Sequence, residues 1–182
     1  MTKRIKFALI AMCAVALAAI YSCGWRTEQP AGTGANANTN VAMLAGWESS
    51  DGKKARVSDL KGKVVLLDFY ATWCEPCRRE TPHLVELHQK YQSQGLQIIG
   101  LNVGGEDDYG QVPEYKKDYG IEYALAIPDD ELVEQLLGDN GNIPQTFVID
   151  RQGQLIRHMV GFSEARGPEL DRLISSALES PH

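Results

Sequence analysis

The stretch from Lys63 to Cys77 constrains this chain more than any other. Lys63-Val-Val-Leu-Leu-Asp-Phe-Tyr70 is a nearly unbroken apolar, β-branched run, the pattern of a central strand buried on both faces. After Ala71-Thr72-Trp73 come Cys74-Glu75-Pro76-Cys77, and beyond them Leu84, Leu87, His88 and Tyr91 recur at the spacing of one helical face. Two cysteines therefore open a helix directly behind a buried strand. The unpaired N–H groups and partial positive charge of a helix start stabilise a thiolate, and the thiolate is the nucleophile, so this placement activates Cys74. Cys77, one turn on, is close enough to attack a mixed disulfide on Cys74 and release a partner. Pro76 suits the first turn, where its missing N–H costs little.

A Cys-x-x-Cys also occurs in structural zinc sites. Zinc takes four ligands, usually from two such pairs or from Cys with His, and neither a second pair nor a His-x-x-x-His is present. His83 and His88 share the helix but read equally well as surface or packing residues. The expectation is a redox pair, with no metal and no cofactor.

Around this centre the remaining elements follow from periodicity and turn residues. Leu44–Glu48, Asp51-Gly52 and Ala55–Val57 read as a hairpin. Pro82 is expected to kink the helix after the cysteines, and Gly95 to end it. Leu96–Val103 is a strand, Glu106–Asp108 a loop, Val112–Tyr119 a short helix, Ala124–Ile127 a strand and Leu132–Leu137 a short helix. Gln145–Asp150 and Gln154–Gly161 form a second hairpin, and Leu170, Leu173, Ile174 and Leu178 mark a final amphipathic helix. Strands alternating with helices, closed by a hairpin and a helix, give an α/β fold with a mixed central sheet covered on both faces. Arg78, Arg79 and Glu80 are expected on the solvated face of the cysteine helix.

The N-terminus reads as an address. Lys3, Arg4 and Lys6 precede the uncharged apolar run Phe7–Ile20, whose 14 residues suit a secretion signal and are short for a membrane span. Ile20-Tyr21-Ser22-Cys23 resembles a bacterial lipobox, although Tyr21 is bulky for its place. On this reading residues 1–22 are a signal peptide that takes Cys13 with it, and Cys23 becomes the lipidated first residue. An uncleaved anchor helix, or cleavage elsewhere, is the alternative. Each version exports the rest of the chain, and the lipid and anchor versions hold it at a membrane surface. Residues 23–41 are rich in Gly, Asn and Thr without hydrophobic period and read as a flexible tether, with a root-mean-square reach of roughly 20–25 Å. Residues 42–182 are the folded domain.

The chain carries 18 basic and 24 acidic residues, net −6. Removing the three bases of the signal leaves 15 against 24, net −9. No basic stripe is present, which argues against a nucleic-acid partner.

Taken together, Gly62 through Pro82 with its Trp-Cys-Glu-Pro-Cys, and Ile143-Pro144-Gln-Thr-Phe-Val-Ile-Asp150 with Gly153, resemble the thioredoxin superfamily. The similarity is greatest to its extracytoplasmic branch of TlpA-like reductases and membrane-anchored proteins of cytochrome c maturation. It covers the chain from about Trp47 to the C-terminal helix. It implies a thioredoxin fold with an N-terminal hairpin, Cys74 as attacking and Cys77 as resolving thiol of a Cys74–Cys77 disulfide, and Ile143-Pro144 as a cis-proline step that offers the backbone of Ile143 to an incoming chain. Asp68 stands where cytosolic thioredoxins keep a buried acid, and would take the proton of Cys77. Trp73 would shape the substrate site beside Pro76. Glu75 would raise the thiolate pKa or tune partner choice.

The activity so implied is protein-disulfide reduction, with electrons from a membrane thiol transporter passed to apocytochrome c or another exported protein. Two alternatives share the fold. A Cu(I) chaperone would use the same two thiolates, with Met159 or Met43 as the available thioethers. A peroxidase would need a Pro-x-x-x-Thr-x-x-Cys pattern, and the residues before Cys74 lack that proline.

Overall fold

The structure is a computed structural model and describes residues 46–49 and 52–180. The segments read as signal peptide and tether, with Cys13, Cys23, Met43 and Asp51, lie outside the described residues.

The apolar run forms β3 (Val64–Tyr70), and all seven of its residues are buried. Its neighbours explain this. β4 (Leu96–Asn102) pairs with it in parallel on one side, and β6 (Gln145–Ile149) antiparallel on the other. β5 (Ala124–Pro128) extends the sheet in parallel from β4. β1 (Gly46–Ser49) and β2 (Lys54–Arg56) form the hairpin that closes that edge, and β7 (Leu155–Val160) closes the other. The sheet has seven strands in the order β2-β1-β5-β4-β3-β6-β7.

Strand alternation sorts β3 into two faces. Val64, Leu66 and Tyr70 join Leu84, Leu87 and Tyr91 of α1 (Glu75–Tyr91), with Leu170, Ile174 and Ala177 of the last helix. Val65, Leu67 and Phe69 join Trp47, Leu132, Leu137 and Phe147 on the opposite face. Each such side chain contributes roughly 1.5–3 kcal/mol on burial, so β3 dominates any local preference of the flanking polar residues. Parity puts Asp68 on the face covered by α1.

Four shorter α-helices among the described residues complete the layers. α2 (Glu106–Tyr109) and α3 (Val112–Asp118) follow β4, and Tyr115 of α3 packs on the α1 side. α4 (Asp130–Leu136) covers the other face through Leu132, and Asp129 caps it by accepting from the Leu132 N–H at 2.8 Å. α5 (Arg166–Glu179) is the terminal amphipathic helix.

Two local expectations are corrected. Glu106–Asp108 is not a loop: Gly105 turns the chain at φ 90°, and the acids that follow form the first turn of a helix, where negative charge is favourable. Glu80 is not on a solvated face; it is 5% exposed. α1 runs on through Pro82 to Tyr91. Among the described residues no helix is long and apolar enough to cross a membrane.

Candidate active site

β3 ends at Tyr70, and Ala71-Thr72-Trp73 lead into α1 with Cys74 as its N-cap. The Cys74 N–H donates to Ala71 O at 3.2 Å, and the Cys77 N–H reaches Cys74 Sγ at 3.3 Å. The two sulfurs are bonded, with Cα atoms 5.3 Å apart. Both cysteines are buried in this disulfide state, whereas the neighbouring Trp73 is 65% exposed. Glu75 is exposed and Pro76 half-buried at the first turn.

The loop before β6 closes over the pair. The Ile143–Pro144 peptide is cis, and the Ile143 carbonyl oxygen stands 3.8 Å from Cys74 Sγ. Substrate backbone that paired with Ile143 would be held beside the sulfur it must reach.

Two buried carboxyls lie on the same α1 side of the sheet as the disulfide. Asp68 on β3 is buried, its Oδ1 has no hydrogen-bond partner, and burial, reinforced by the nearby Glu80 charge, raises its pKa well above the ordinary value. Glu80 lies one turn beyond Cys77. Burial pushes its pKa up to about 7, against the opposing influence of a Thr146 hydrogen bond and the charges of Arg166 and His83. Thr146 Oγ1 donates to Glu80 Oε1 at 2.9 Å, while Glu80 Oε2 has no partner. A carboxyl that ionises near neutrality can give or take a proton at working pH.

Periodicity could have found Glu80. Cys77, Glu80, Leu84, Leu87 and Tyr91 recur on one helical face, and all are buried. Counting Glu80 with the adjacent Arg78 and Arg79, which are exposed, hid it.

A second network holds the loop from behind. Buried Asp108 accepts from the Thr72 N–H at 3.0 Å, from the Thr72 hydroxyl, and from Asn102 Nδ2 at 2.7 Å. It thus ties α2 to the residues that deliver Cys74. Nothing in the local pattern of Glu-Asp-Asp marks the third acid as the buried one. Met159 is buried in the same cluster as the cysteines. Among the described residues no group of three or more His, Cys, Asp or Glu side chains converges on a metal-sized site.

Comparison with known proteins places this geometry. A family model described as the AhpC/TSA family matches residues 38–158. The thiol-disulfide oxidoreductase ResA of Bacillus subtilis is 31% identical over 153 residues, which cover 84% of this chain and 80% of the relative. ResA of Bacillus thuringiensis is 36% identical over 111 residues, 61% of this chain and 62% of that one. Among solved structures, a thiol:disulfide interchange protein of the thioredoxin family from Chlorobium tepidum superposes with a TM-score of 0.65 at 31% identity, over 80% of this chain and 99% of that one.

Proposed function

The chain belongs to the AhpC/TSA family, on its ResA-like thiol–disulfide oxidoreductase branch, and from that premise we propose that it reduces disulfides of exported proteins through Cys74 and Cys77. The observation that carries the reading is the Cys74–Cys77 disulfide at a helix start, on the same side of the sheet as two buried carboxyls with raised pKa and beside the Ile143 carbonyl.

The cycle begins with both cysteines reduced. The substrate polypeptide lays its backbone along Ile143, between exposed Trp73 and the cis-proline loop. The Cys74 thiolate, favoured by the N-terminus of α1, attacks one substrate sulfur. A Cys74–substrate disulfide forms, and the other substrate sulfur leaves as a thiolate that takes a proton from solvent. Cys77 then gives its proton to the buried carboxyl pair and attacks Cys74 Sγ. The second substrate sulfur leaves and is protonated, and the chain is left with the Cys74–Cys77 disulfide. Two electrons have passed from the chain to the substrate. Glu80, which ionises near pH 7, can cycle its proton at neutral pH, and burial raises the pKa of Asp68 as well.

In this reading Cys23 carries a lipid, or the N-terminal segment serves as an anchor, and the domain works outside the cytoplasm at a membrane. A membrane thiol transporter re-reduces the pair, and apocytochrome c is one substrate. The lipobox-like Ile20–Cys23 and the Cys-Glu-Pro-Cys sequence support this. A peroxidase reading has less support, because Leu67 and Ala71 stand where its Pro-x-x-x-Thr-x-x-Cys pattern needs proline and threonine.

The deciding measurement is the reduction potential of the Cys74–Cys77 couple. A reductase is expected nearer the ~−270 mV of thioredoxin than the ~−120 mV of a disulfide-forming enzyme. A value at the oxidising end would overturn the direction proposed. Tight Cu(I) binding without insulin reduction would replace the activity altogether.

A further inference from the structure

Gln145 is fully buried yet polar, in the strand that follows Pro144. Register decides which way it faces. It pairs with Phe69, and Phe69 and Phe147 both belong to the cluster on the side away from α1. Gln145 therefore lies on the opposite face of the sheet from Cys74, Cys77 and the two carboxyls.

Its side chain there is fully used. Nε2 donates to the carbonyl oxygens of Asn140 at 2.7 Å and Asn142 at 2.8 Å. Oε1 lies 2.8 Å from His158 Nε2. The two carbonyls can only accept, so the amide nitrogen must face them and the amide oxygen must face His158. His158 therefore carries its proton on Nε2 and donates. The imidazole is held by stacking on Phe147, with ring centroids 4.1 Å apart and planes 9° from parallel. One amide thus fastens the segment before Pro144 to β7. The next carbonyl along that segment, on Ile143, is the one beside Cys74 Sγ.

We propose that Gln145 is a positioning residue for the polypeptide substrate: from behind the sheet it fixes the Asn140–Ile143 segment on which the incoming chain lays its backbone. The proposal deepens the reading of a protein-disulfide reductase and rests on it. It follows that Gln145 governs how well a protein substrate docks and leaves the thiol chemistry alone. The side chain is uncharged and the sheet stands between it and the sulfurs. A small disulfide, which needs no backbone pairing, does not sense it. A residue that merely filled the core would affect both substrates alike.

The test uses the full chain with dithiothreitol as reductant and compares insulin with 2-hydroxyethyl disulfide. Gln145→Glu keeps the shape but removes both N–H donors and sets a carboxylate against two carbonyls. The KM for insulin is expected to rise about tenfold with kcat little changed. Turnover of 2-hydroxyethyl disulfide and the reduction potential are expected to stay at wild-type values. An unchanged insulin KM, or equal losses on both substrates, would overturn the proposal. Should Gln145→Glu fail to fold, His158→Phe keeps a ring on Phe147 and removes only the donor to Oε1. It is expected to raise the insulin KM about two- to threefold, and no rise overturns the proposal as well. A wild-type chain inert toward insulin removes the underlying reading and the proposal with it. A wild-type chain active on insulin with unmoved variants removes the proposal alone.

Discussion

The hydroxyl of Thr146 donates a 2.9 Å hydrogen bond to Oε1 of Glu80, joining the strand after Pro144 to the helix that carries both cysteines. Across the strands Thr146 is also the register partner of Asp68. One residue is thus the register partner of Asp68 and, through its hydroxyl, favours the ionised form of Glu80.

Removing that hydroxyl should make Glu80 a poorer acid. In Thr146→Val the hydrogen bond that lowers the Glu80 pKa is lost, so ionisation moves above the present value of about 7. If Glu80 must be ionised to accept the Cys77 proton, resolution of a preformed mixed disulfide slows by roughly two- to fivefold at pH 7 and recovers at higher pH. Stopped-flow measurement across pH checks this. A profile that moves towards acid contradicts it.

Replacing the carboxyl itself should cost more. Glu80→Gln is expected to slow resolution by about a hundredfold, the lower range for a general base, while the first attack by Cys74 is little altered. It also removes the charge that helps raise the Asp68 pKa, so the Asp68 carboxyl should titrate lower in a carbon-detected NMR titration. Equal slowing of both steps would reassign Glu80 to a structural role.

The same carboxyl fixes how stability depends on pH. Folded Glu80 holds its proton up to about pH 7, while the unfolded chain loses it near the ordinary 4.5. Its contribution is therefore fully present below that lower value and is lost as pH rises through the upper one. At about 1.4 kcal/mol per pH unit the loss reaches about 3 kcal/mol, and Asp68 adds in the same direction. Urea denaturation of the oxidised chain at pH 5 and pH 7 should show the fall, and Glu80→Gln should reduce it. Stability that rises over this window would refute the raised pKa.

The two thiols should separate cleanly. Cys74→Ala is expected to abolish insulin reduction, and Cys77→Ala to retain the first attack and accumulate a mixed disulfide. Mass spectrometry of the adduct identifies the sulfur that bonds substrate. An adduct through Cys77 in the Cys74→Ala chain would reverse the assigned order.

Much of this site was legible because its strongest signals are local. β3 announces itself as an apolar run, and the cysteines follow it with Pro76 in the first helical turn. Asp68 stood out as one acid in that run. Glu80 did not, because charged neighbours on a helix belong to different faces and only the 3.6-residue period separates them. Gln145 and Asp108 were invisible for another reason. Their partners lie in other elements, Asn102 and Thr72 for Asp108 and His158 for Gln145, and no spacing along the chain encodes such a meeting. The short α2 was missed because Gly105 and three acids read as a turn until Asp108 is seen anchored beneath Thr72.

That anchor yields the last expectation. Asp108 is buried and takes hydrogen bonds from the Thr72 N–H, the Thr72 hydroxyl and the Asn102 amide. Asp108→Ala would leave the Thr72 N–H and the Asn102 amide as buried donors without their acceptor. At about 1–3 kcal/mol for each stranded donor, a net loss of about 3 kcal/mol is expected. Gly104 lies so close that a Cβ there would collide with the Asp108 carboxyl, so Gly104→Ala should destabilise by displacing the same group. Because both changes break one network, the double variant should cost less than the sum of the two. Urea denaturation of the set gives the cycle. Strict additivity would mean that Gly104 and Asp108 act independently, and that the loop leading to Cys74 is held by something other than this carboxylate.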